Sequence, residues 1–163
     1  MNNQEQYTGR ILNFFELINE YEIQIPIIQR DYAQGRKNQK EIRDNFLNAL
    51  YSCLKDNNPI KLDFIYGSIV NKKLQPLDGQ QRLTTLFLLH WYAASKEGLL
   101  SSMEVVRVLE RFTYETRISS REFCQVLVDE SIPVTGEEQI LSETIIDKNW
   151  FYLSWKNDPT IDA

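Results

Sequence analysis

The sequence has a single histidine, His90, and two cysteines, Cys53 and Cys124. One histidine argues against a histidine-based metal cluster or a Ser/His/Asp triad formed by this chain alone. The cysteines lie within apolar helical patterns rather than in a CxxC pair or a disulfide framework, so both are predicted to be free, buried thiols. His90 also lies on an apolar helix, and we predict a core histidine whose ring nitrogens have hydrogen-bond partners.

Long apolar runs and net positive charge are also lacking. No apolar run approaches the roughly 18 residues of a membrane span, and residues 1–10 have no apolar core of a signal peptide. We therefore expect a cytoplasmic protein with no membrane partner. The formal net charge is −5, which argues against a broadly basic nucleic-acid surface, so any phosphate site must be focal.

The composition is that of an ordinary globular protein, because 42% of the 163 residues are hydrophobic and 25% are charged. Four aromatic residues lie close together near its end: Trp150, Phe151, Tyr152 and Trp155. So much apolar surface predicts a partner, either a groove in this domain or further chain. We expect the sequence to be a fragment of a longer protein.

Changes in hydrophobic period predict an α+β fold. Helices are predicted over residues 11–20, 38–56, 79–96, 102–112 and 137–148, and from residue 119 or 120 onward. Strands are predicted over residues 21–29, 62–70 and 74–77, with a turn at 71–73 that makes the last two a hairpin. Pro26 is expected to place the first strand at a sheet edge or a bulge, and Gly67 to mark a bulge or a close backbone approach.

The densest polar motif is Asp78-Gly79-Gln80-Gln81-Arg82, between a predicted strand and an apolar helix. Such a junction suits an anion, because the first backbone N–H groups of a helix are unpaired and the helix dipole is positive there. Asp78 and Gln81 have the spacing of a capping box, which explains both without any function. Gly79, predicted at the first helical position, indicates close approach of a ligand, and Arg82 can pair with Asp78 or bind an anion. Local chemistry leaves both interpretations open.

Two other polar segments are weaker candidates. Residues 29–32 (QRDY) lie at the end of the first predicted strand and suit phosphate, ribose or base contacts, although a solvated loop explains them as well. Residues 114–121 contain two arginines and two serines at a helix start, where Ser119 and Glu122 have capping-box spacing. Asp78, and more weakly Asp31, are candidate Mg²⁺ ligands, since this ion is commonly held by one or two carboxylates plus substrate phosphates.

Two stretches, residues 25–32 (IPIIQRDY) and 78–86 (DGQQRLTTL), resemble the signatures of the ParB/sulfiredoxin-like domain at the N-terminus of GmrSD-type, modification-dependent restriction enzymes. The second motif matches throughout, whereas in the first Ile28 replaces the usual tyrosine and no tryptophan follows Tyr32. The resemblance implies a small mixed sheet packed with helices at residues 1–97, followed by a helical C-terminal extension at residues 98–163.

The resemblance also implies that the full-length protein restricts modified phage DNA. It implies that the DGQQR segment binds and hydrolyses a nucleoside triphosphate with Mg²⁺ or another divalent cation, and that a further C-terminal domain, often an HNH nuclease, belongs to the protein. The residues it places at the nucleotide are Asp78, Gly79, Gln80, Gln81, Arg82 and Thr84, bordered by Gln29, Arg30 and Tyr32. We assign Asp78 and Arg82 catalytic roles, with Asp78 at the metal or the attacking water and Arg82 at the phosphate charge.

Two other functions stay open. The domain could be a non-catalytic module that binds DNA or a modified base through Arg30, Arg82 and Arg117, and such binding would weaken steeply with salt. It could also be a ParB-like nuclease domain, although the sequence has no clustered carboxylates or histidines for that chemistry.

Overall fold

The computed structural model describes residues 9–26, 40–130, 132 and 140–163. In this part of the chain a four-stranded mixed sheet packs against helices, which confirms the predicted α+β fold. The strands are β1 (Glu22–Ile25), β2 (Tyr66–Val70), β3 (Lys73–Asp78) and β4 (Phe112–Tyr114). The helices are α1 (Phe14–Glu20), α2 (Lys40–Lys55), α3 (Gln80–Lys96), α4 (Met103–Leu109), α5 (Ile118–Asp129), α6 (Leu141–Ile146) and α7 (Pro159–Asp162).

The strand order β2-β3-β1-β4 places three parallel strands side by side. β1 is parallel to both β3 and β4, and its Ile23 is level with Leu74 on one side and Phe112 on the other. Parallel strands end at the same edge of a sheet, so the chain leaves β1, β3 and β4 at one edge. The three polar segments noted in the sequence follow these three strands.

β1 lies inside the sheet, so the expected edge position is wrong. Pro26 does not disturb the pairing because the strand ends one residue earlier, at Ile25, whose carbonyl accepts a hydrogen bond from the Glu115 N–H at 2.9 Å. Ile23 and Ile25 are buried, as the alternation predicts. Residues 27–29 of the predicted strand lie outside the described residues.

The hairpin of β2 and β3 is confirmed, although β2 begins at Tyr66 rather than at residue 62. Its two turn residues, Asn71 and Lys72, have φ values of +51° and +63°, the backbone conformation that matches the twist of paired strands. The pairing shifts between Tyr66 and Gly67, and a Cβ on Gly67 would lie 2.2 Å from the carbonyl oxygen of Gln75. The predicted bulge and close approach are therefore both present.

The helix predicted over residues 102–112 ends at Leu109, and β4 follows at Phe112–Tyr114. The sequence pattern does not predict this strand, which pairs with β1 and takes the edge position expected for β1. The last predicted helix is shorter, at Leu141–Ile146 instead of 137–148, and residues 133–139 lie outside the described part.

Helix α3 lies at the centre of the hydrophobic core, as its apolar sequence predicts. Leu83, Phe87 and Trp91, four residues apart, are all buried. The Phe87 ring stacks on Phe112 of β4 with a centroid distance of 4.5 Å and an interplanar angle of 9°. Residues on both sides of the predicted domain boundary at residue 97 join this one core, and the division into two domains stays a prediction.

Both cysteines are free, but only Cys124 is buried, and burial raises the pKa of its thiol to about 12. Cys53 is only partly buried. His90 is half-buried instead of in the core, but its Nδ1 has the predicted kind of partner, 2.7 Å away at the carbonyl oxygen of Leu86. Its ring lies 4.7 Å from that of Phe14. Within the described residues no helix combines the length and apolar character that a membrane span requires.

The aromatic cluster near residue 155 packs within this domain. Trp155 is buried and makes edge-to-face contacts with Phe123 of α5, with Phe151 and with Tyr152. The centroid distance between Trp155 and Phe123 is 5.6 Å. The sequence predicts that these aromatic residues pack either in a groove of this domain or against further chain. For Trp155 the structure shows the first alternative.

Asp158 fixes the segment after this cluster to α5. Its carboxylate accepts hydrogen bonds from the hydroxyl groups of Ser119 and Ser120 and from the backbone N–H of Thr160. Ser119 therefore does not cap α5, which begins at Ile118 without a side-chain cap. The predicted capping box of Ser119 and Glu122 is wrong, because α5 already begins at Ile118 and Ser119 is its second residue.

We expect Asp158→Asn to lower the free energy of unfolding at pH 7 by about 1 kcal/mol, since hydrogen bonds to a charged group stabilise and solvent screens part of the effect. Burial raises the pKa of Asp158, but the hydrogen bonds and the charge of Arg117 outweigh it, so the pKa lies below 3.8. A lowered pKa stabilises the fold above the unfolded-state pKa, and this contribution is lost as the pH falls through the folded-state pKa. Urea unfolding should therefore show a difference from wild type that is present at pH 7 and disappears as the pH falls through the folded-state pKa of Asp158. A difference independent of pH would contradict this.

Candidate functional site

The DGQQR motif forms the junction of β3 and α3. Asp78 ends the strand, Gln80 begins the helix, and Gly79 between them is the N-cap residue with a φ of +86°. Asp78 therefore does not cap the helix, and the predicted capping box with Gln81 is wrong. Because glycine offers no side chain, no N-cap side chain binds the first backbone N–H groups of α3.

Gly79 is required by the local backbone and packing. Its positive φ favours glycine, and a Cβ at this position would lie 2.7 Å from Cγ1 of Ile65. From the sequence we predicted Gly79 at the first helical position and explained the glycine by the close approach of a ligand. The structure explains the glycine without a ligand. Ile65 closes one side of this turn, so a ligand must approach from another side.

Arg82 connects the motif to the segment that precedes β2. Its Nη2 donates a hydrogen bond to the carbonyl oxygen of Phe64 at 2.6 Å, and its Nη1 lies 3.2 Å from Oδ2 of Asp63. Oδ2 of Asp78 is 3.8 Å from Nη2. Two exposed carboxylates, 90% exposed in Asp63 and 61% in Asp78, thus flank a guanidinium side chain that is only 20% exposed.

Asp63 and Phe64 were not candidates in the sequence. They lie 19 and 18 residues before Arg82, in a segment whose pattern predicts only a strand. The Nε of Arg82 is buried and has no hydrogen-bond partner among the described residues. The guanidinium group is thus held through Nη1 and Nη2, while its Nε lacks a hydrogen-bond acceptor among the described residues.

Gln80 and Thr84 face the interior rather than the surface. Gln80 is buried and its Nε2 donates to the carbonyl oxygen of Pro76 at 3.0 Å, which joins the helix start to β3. Thr84 is buried too, with its Oγ1 3.2 Å from the hydroxyl oxygen of Tyr114 on β4. Both contacts hold α3 against the sheet. Their assignment to a nucleotide, like that of the half-buried Gln81, stays a prediction.

Gln29, Arg30 and Tyr32, with Asp31, lie outside the described residues, so their assigned roles stay predictions. The sequence places all four after β1, whose last residue, Ile25, is level with Tyr114 at the end of β4. Ligands of sheets with parallel strands commonly bind beyond the carboxyl ends of those strands. The topology therefore agrees with a site that receives residues from the ends of both β1 and β3.

The segment after β4 has structural partners. Nη1 of Arg117 donates to the Thr160 hydroxyl at 3.2 Å, and Nη1 of Arg121 to the Glu115 carbonyl at 3.5 Å. These contacts, with those of Asp158, connect α5 to its neighbours. They give the segment a structural role, although the helix capping predicted from its sequence is wrong.

The residues beside Arg82 fit one mode of magnesium binding. No group of three or more His, Cys, Asp or Glu side chains within the described ranges could hold a metal ion. A cage formed by protein alone is thus not provided there. Asp78 is an exposed carboxylate beside a guanidinium, and a single carboxylate suffices when substrate phosphates supply further oxygen ligands.

Comparison with known protein families identifies the relationship. The family described as the GmrSD restriction endonuclease, N-terminal domain, matches residues 11–156, from the residues before α1 to the aromatic cluster. The chain belongs to this family. No curated protein and no solved structure matches the chain significantly.

Membership of the GmrSD family confirms the resemblance drawn from the two sequence motifs, and the match extends through the helices that follow α3. The chain is thus the N-terminal domain of a restriction protein. The relation to ParB and sulfiredoxin stays a prediction, as does the use of a nucleotide.

Proposed function

We propose that the junction of β3 and α3 binds a nucleoside triphosphate, and that the domain hydrolyses it to regulate DNA restriction. The observation that supports this most is the position of Arg82. Its guanidinium lies in the first turn of a 17-residue helix whose N-cap residue provides no side-chain cap. The guanidinium charge and the positive end of the helix dipole act on the same small region, as an anion site requires.

Arg82 binds phosphate oxygens through Nη1, which Asp63 occupies in this structure, while Nη2 keeps its hydrogen bond to Phe64. The fixed guanidinium then stabilises the negative charge that develops on the transferred phosphoryl group. Asp78 holds the divalent cation or orients the attacking water. A bound Mg²⁺ supplies neutralisation of phosphate charge.

Two carboxylates so near the guanidinium make the site electrostatically mixed. Without a cation, Asp63 and Asp78 repel a triphosphate that carries several negative charges. Nucleotide binding should consequently depend on a divalent cation more strongly than at a purely basic site. This dependence distinguishes the proposal from simple attraction of polyanions.

The direct test is calorimetric titration of ATP, GTP and their deoxy forms into the full-length protein, with Mg²⁺ and with EDTA. We expect binding of at least one nucleotide with Mg²⁺, weakened at least about tenfold by EDTA. Phosphate release is followed in the same samples. Absence of binding for all the nucleotides in the presence of Mg²⁺ would refute the proposal.

Asp63→Asn is expected to raise nucleotide affinity about 1.5- to 5-fold, because exposed ion pairs contribute about 0.2–1 kcal/mol that the phosphate must otherwise overcome. Asp56→Asn, in the same exposed segment, is the matched control and should leave affinity unchanged. The affinities are compared in the calorimetric assay with Mg²⁺. A lower affinity of Asp63→Asn would show that Asp63 assists binding instead of competing for Arg82.

A further inference from the structure

Two exposed aromatic side chains lie next to the Arg82 site. Phe64 is 88% exposed and Tyr66 is 60% exposed, whereas Ile65 between them packs against the core. This alternation places both aromatic rings on the side of the segment that faces away from the core. A phenylalanine so exposed forgoes the favourable burial of its ring unless a ligand covers it.

Both aromatic residues are tied to the charged residues of the site. The carbonyl oxygen of Phe64 accepts the 2.6 Å hydrogen bond from Arg82, and Tyr66 is the strand partner of Asp78. Each charged residue therefore has an exposed aromatic residue directly beside it. An arginine near exposed aromatic rings suits a ligand with phosphates at one end and a planar ring at the other.

We propose that Phe64 and Tyr66 stack on the base of the nucleotide whose phosphates bind Arg82. The inference rests on the proposed nucleotide site and specifies its second half. Stacking accepts every base because each has a π face, so this subsite tolerates several bases. Selection among bases by hydrogen bonding is not required of this surface.

Other exposed apolar residues of the hairpin provide a contrast. Ile69 and Val70 are also exposed, but they are aliphatic and lie near the turn, at the opposite end of β2 from Tyr66. General surface hydrophobicity would make them equivalent to Phe64. Base stacking makes the aromatic pair different from them.

The test compares ATP, GTP and CTP with inorganic triphosphate, each with Mg²⁺, on the full-length protein. Phe64→Ala should lower ATP affinity about 5- to 150-fold, in the range of stacking interactions, and Tyr66→Ala in the same direction. Affinity for inorganic triphosphate, which has no base, should change less than about twofold. Phe64→Trp should keep or raise ATP affinity, and Ile69→Ala should have no effect.

The results separate this inference from the proposed function. If the wild-type protein binds neither ATP nor inorganic triphosphate, the nucleotide site itself is refuted. If it binds ATP and Phe64→Ala binds equally well, the phosphate site stands and base stacking is refuted. An equal loss for ATP and inorganic triphosphate in Phe64→Ala would also overturn stacking, because it indicates displacement of Arg82. Circular dichroism confirms folding of each variant.

Discussion

Replacing Arg82 with alanine is expected to reduce nucleotide-dependent phosphate release by the full-length protein about 100- to 1,000-fold, the effect of removing one preorganised donor from a transition state. The structure fixes this guanidinium through the Phe64 carbonyl and leaves its side chain only 20% exposed. It therefore needs little reorganisation when charge develops on the phosphoryl group. The measurement is the rate of phosphate release at saturating nucleotide and Mg²⁺.

Arg107→Ala is the matched control, since Arg107 is an exposed arginine in the last turn of α4. It removes the same charge from the protein and should leave the rate unchanged. Arg82→Lys keeps the charge but loses the planar fork of donors, so its rate should fall between those of wild type and Arg82→Ala. Equal rates in all four proteins would exclude Arg82 from the reaction.

The location of the candidate site can be predicted from sequence, but its local geometry cannot. The change from a two-residue to a helical period marks the junction near residue 79 clearly. Whether the strand ends before or at Asp78 depends on one residue, Gly79, whose left-handed backbone delays the helix start. Capping-box spacing between Asp78 and Gln81 is compatible with either register, so the spacing alone does not decide the role of the aspartate.

The partners of Arg82 show a second limit. Asp63 and Phe64 meet the guanidinium only because the hairpin of β2 and β3 returns the segment before β2 to the head of α3. No local pattern marks a contact across 19 residues. Sequence can therefore identify a candidate arginine but not the groups that hold it or compete for it.

Strand β4 shows a third limit, which concerns length. A three-residue strand is too short for its alternation of apolar and polar residues to be distinguished from the last turn of a helix. Phe112–Tyr114 also continues the apolar pattern of α4. This strand also decides the position of β1. Pro26 led us to expect β1 at a sheet edge, but β4 pairs with β1 and makes it an inner strand. Pairing partners in a sheet, unlike burial periods, are a tertiary property.

Phe87→Ala is expected to lower the free energy of unfolding by about 3–5 kcal/mol, the usual cost of truncating a buried aromatic residue. Phe87 is fully buried and stacks on Phe112, so it joins α3 to β4 in the middle of the core. The same helix begins with the turn that carries Arg82. Removing the ring leaves a cavity that the packed strand and helix can close only in part.

Urea unfolding monitored by circular dichroism gives the measurement, with Phe15→Ala as the matched control. Phe15 is an exposed phenylalanine of α1, and its truncation should change the unfolding free energy by less than about 0.5 kcal/mol. A small effect of Phe87→Ala would contradict the central position of α3 in the core. Phe87 lies five positions from Arg82 on the same helix and is fully buried, so it cannot contact a surface ligand itself. If Phe87→Ala stays folded under assay conditions, a change in its nucleotide affinity would therefore show that the fixed position of α3 matters to the site.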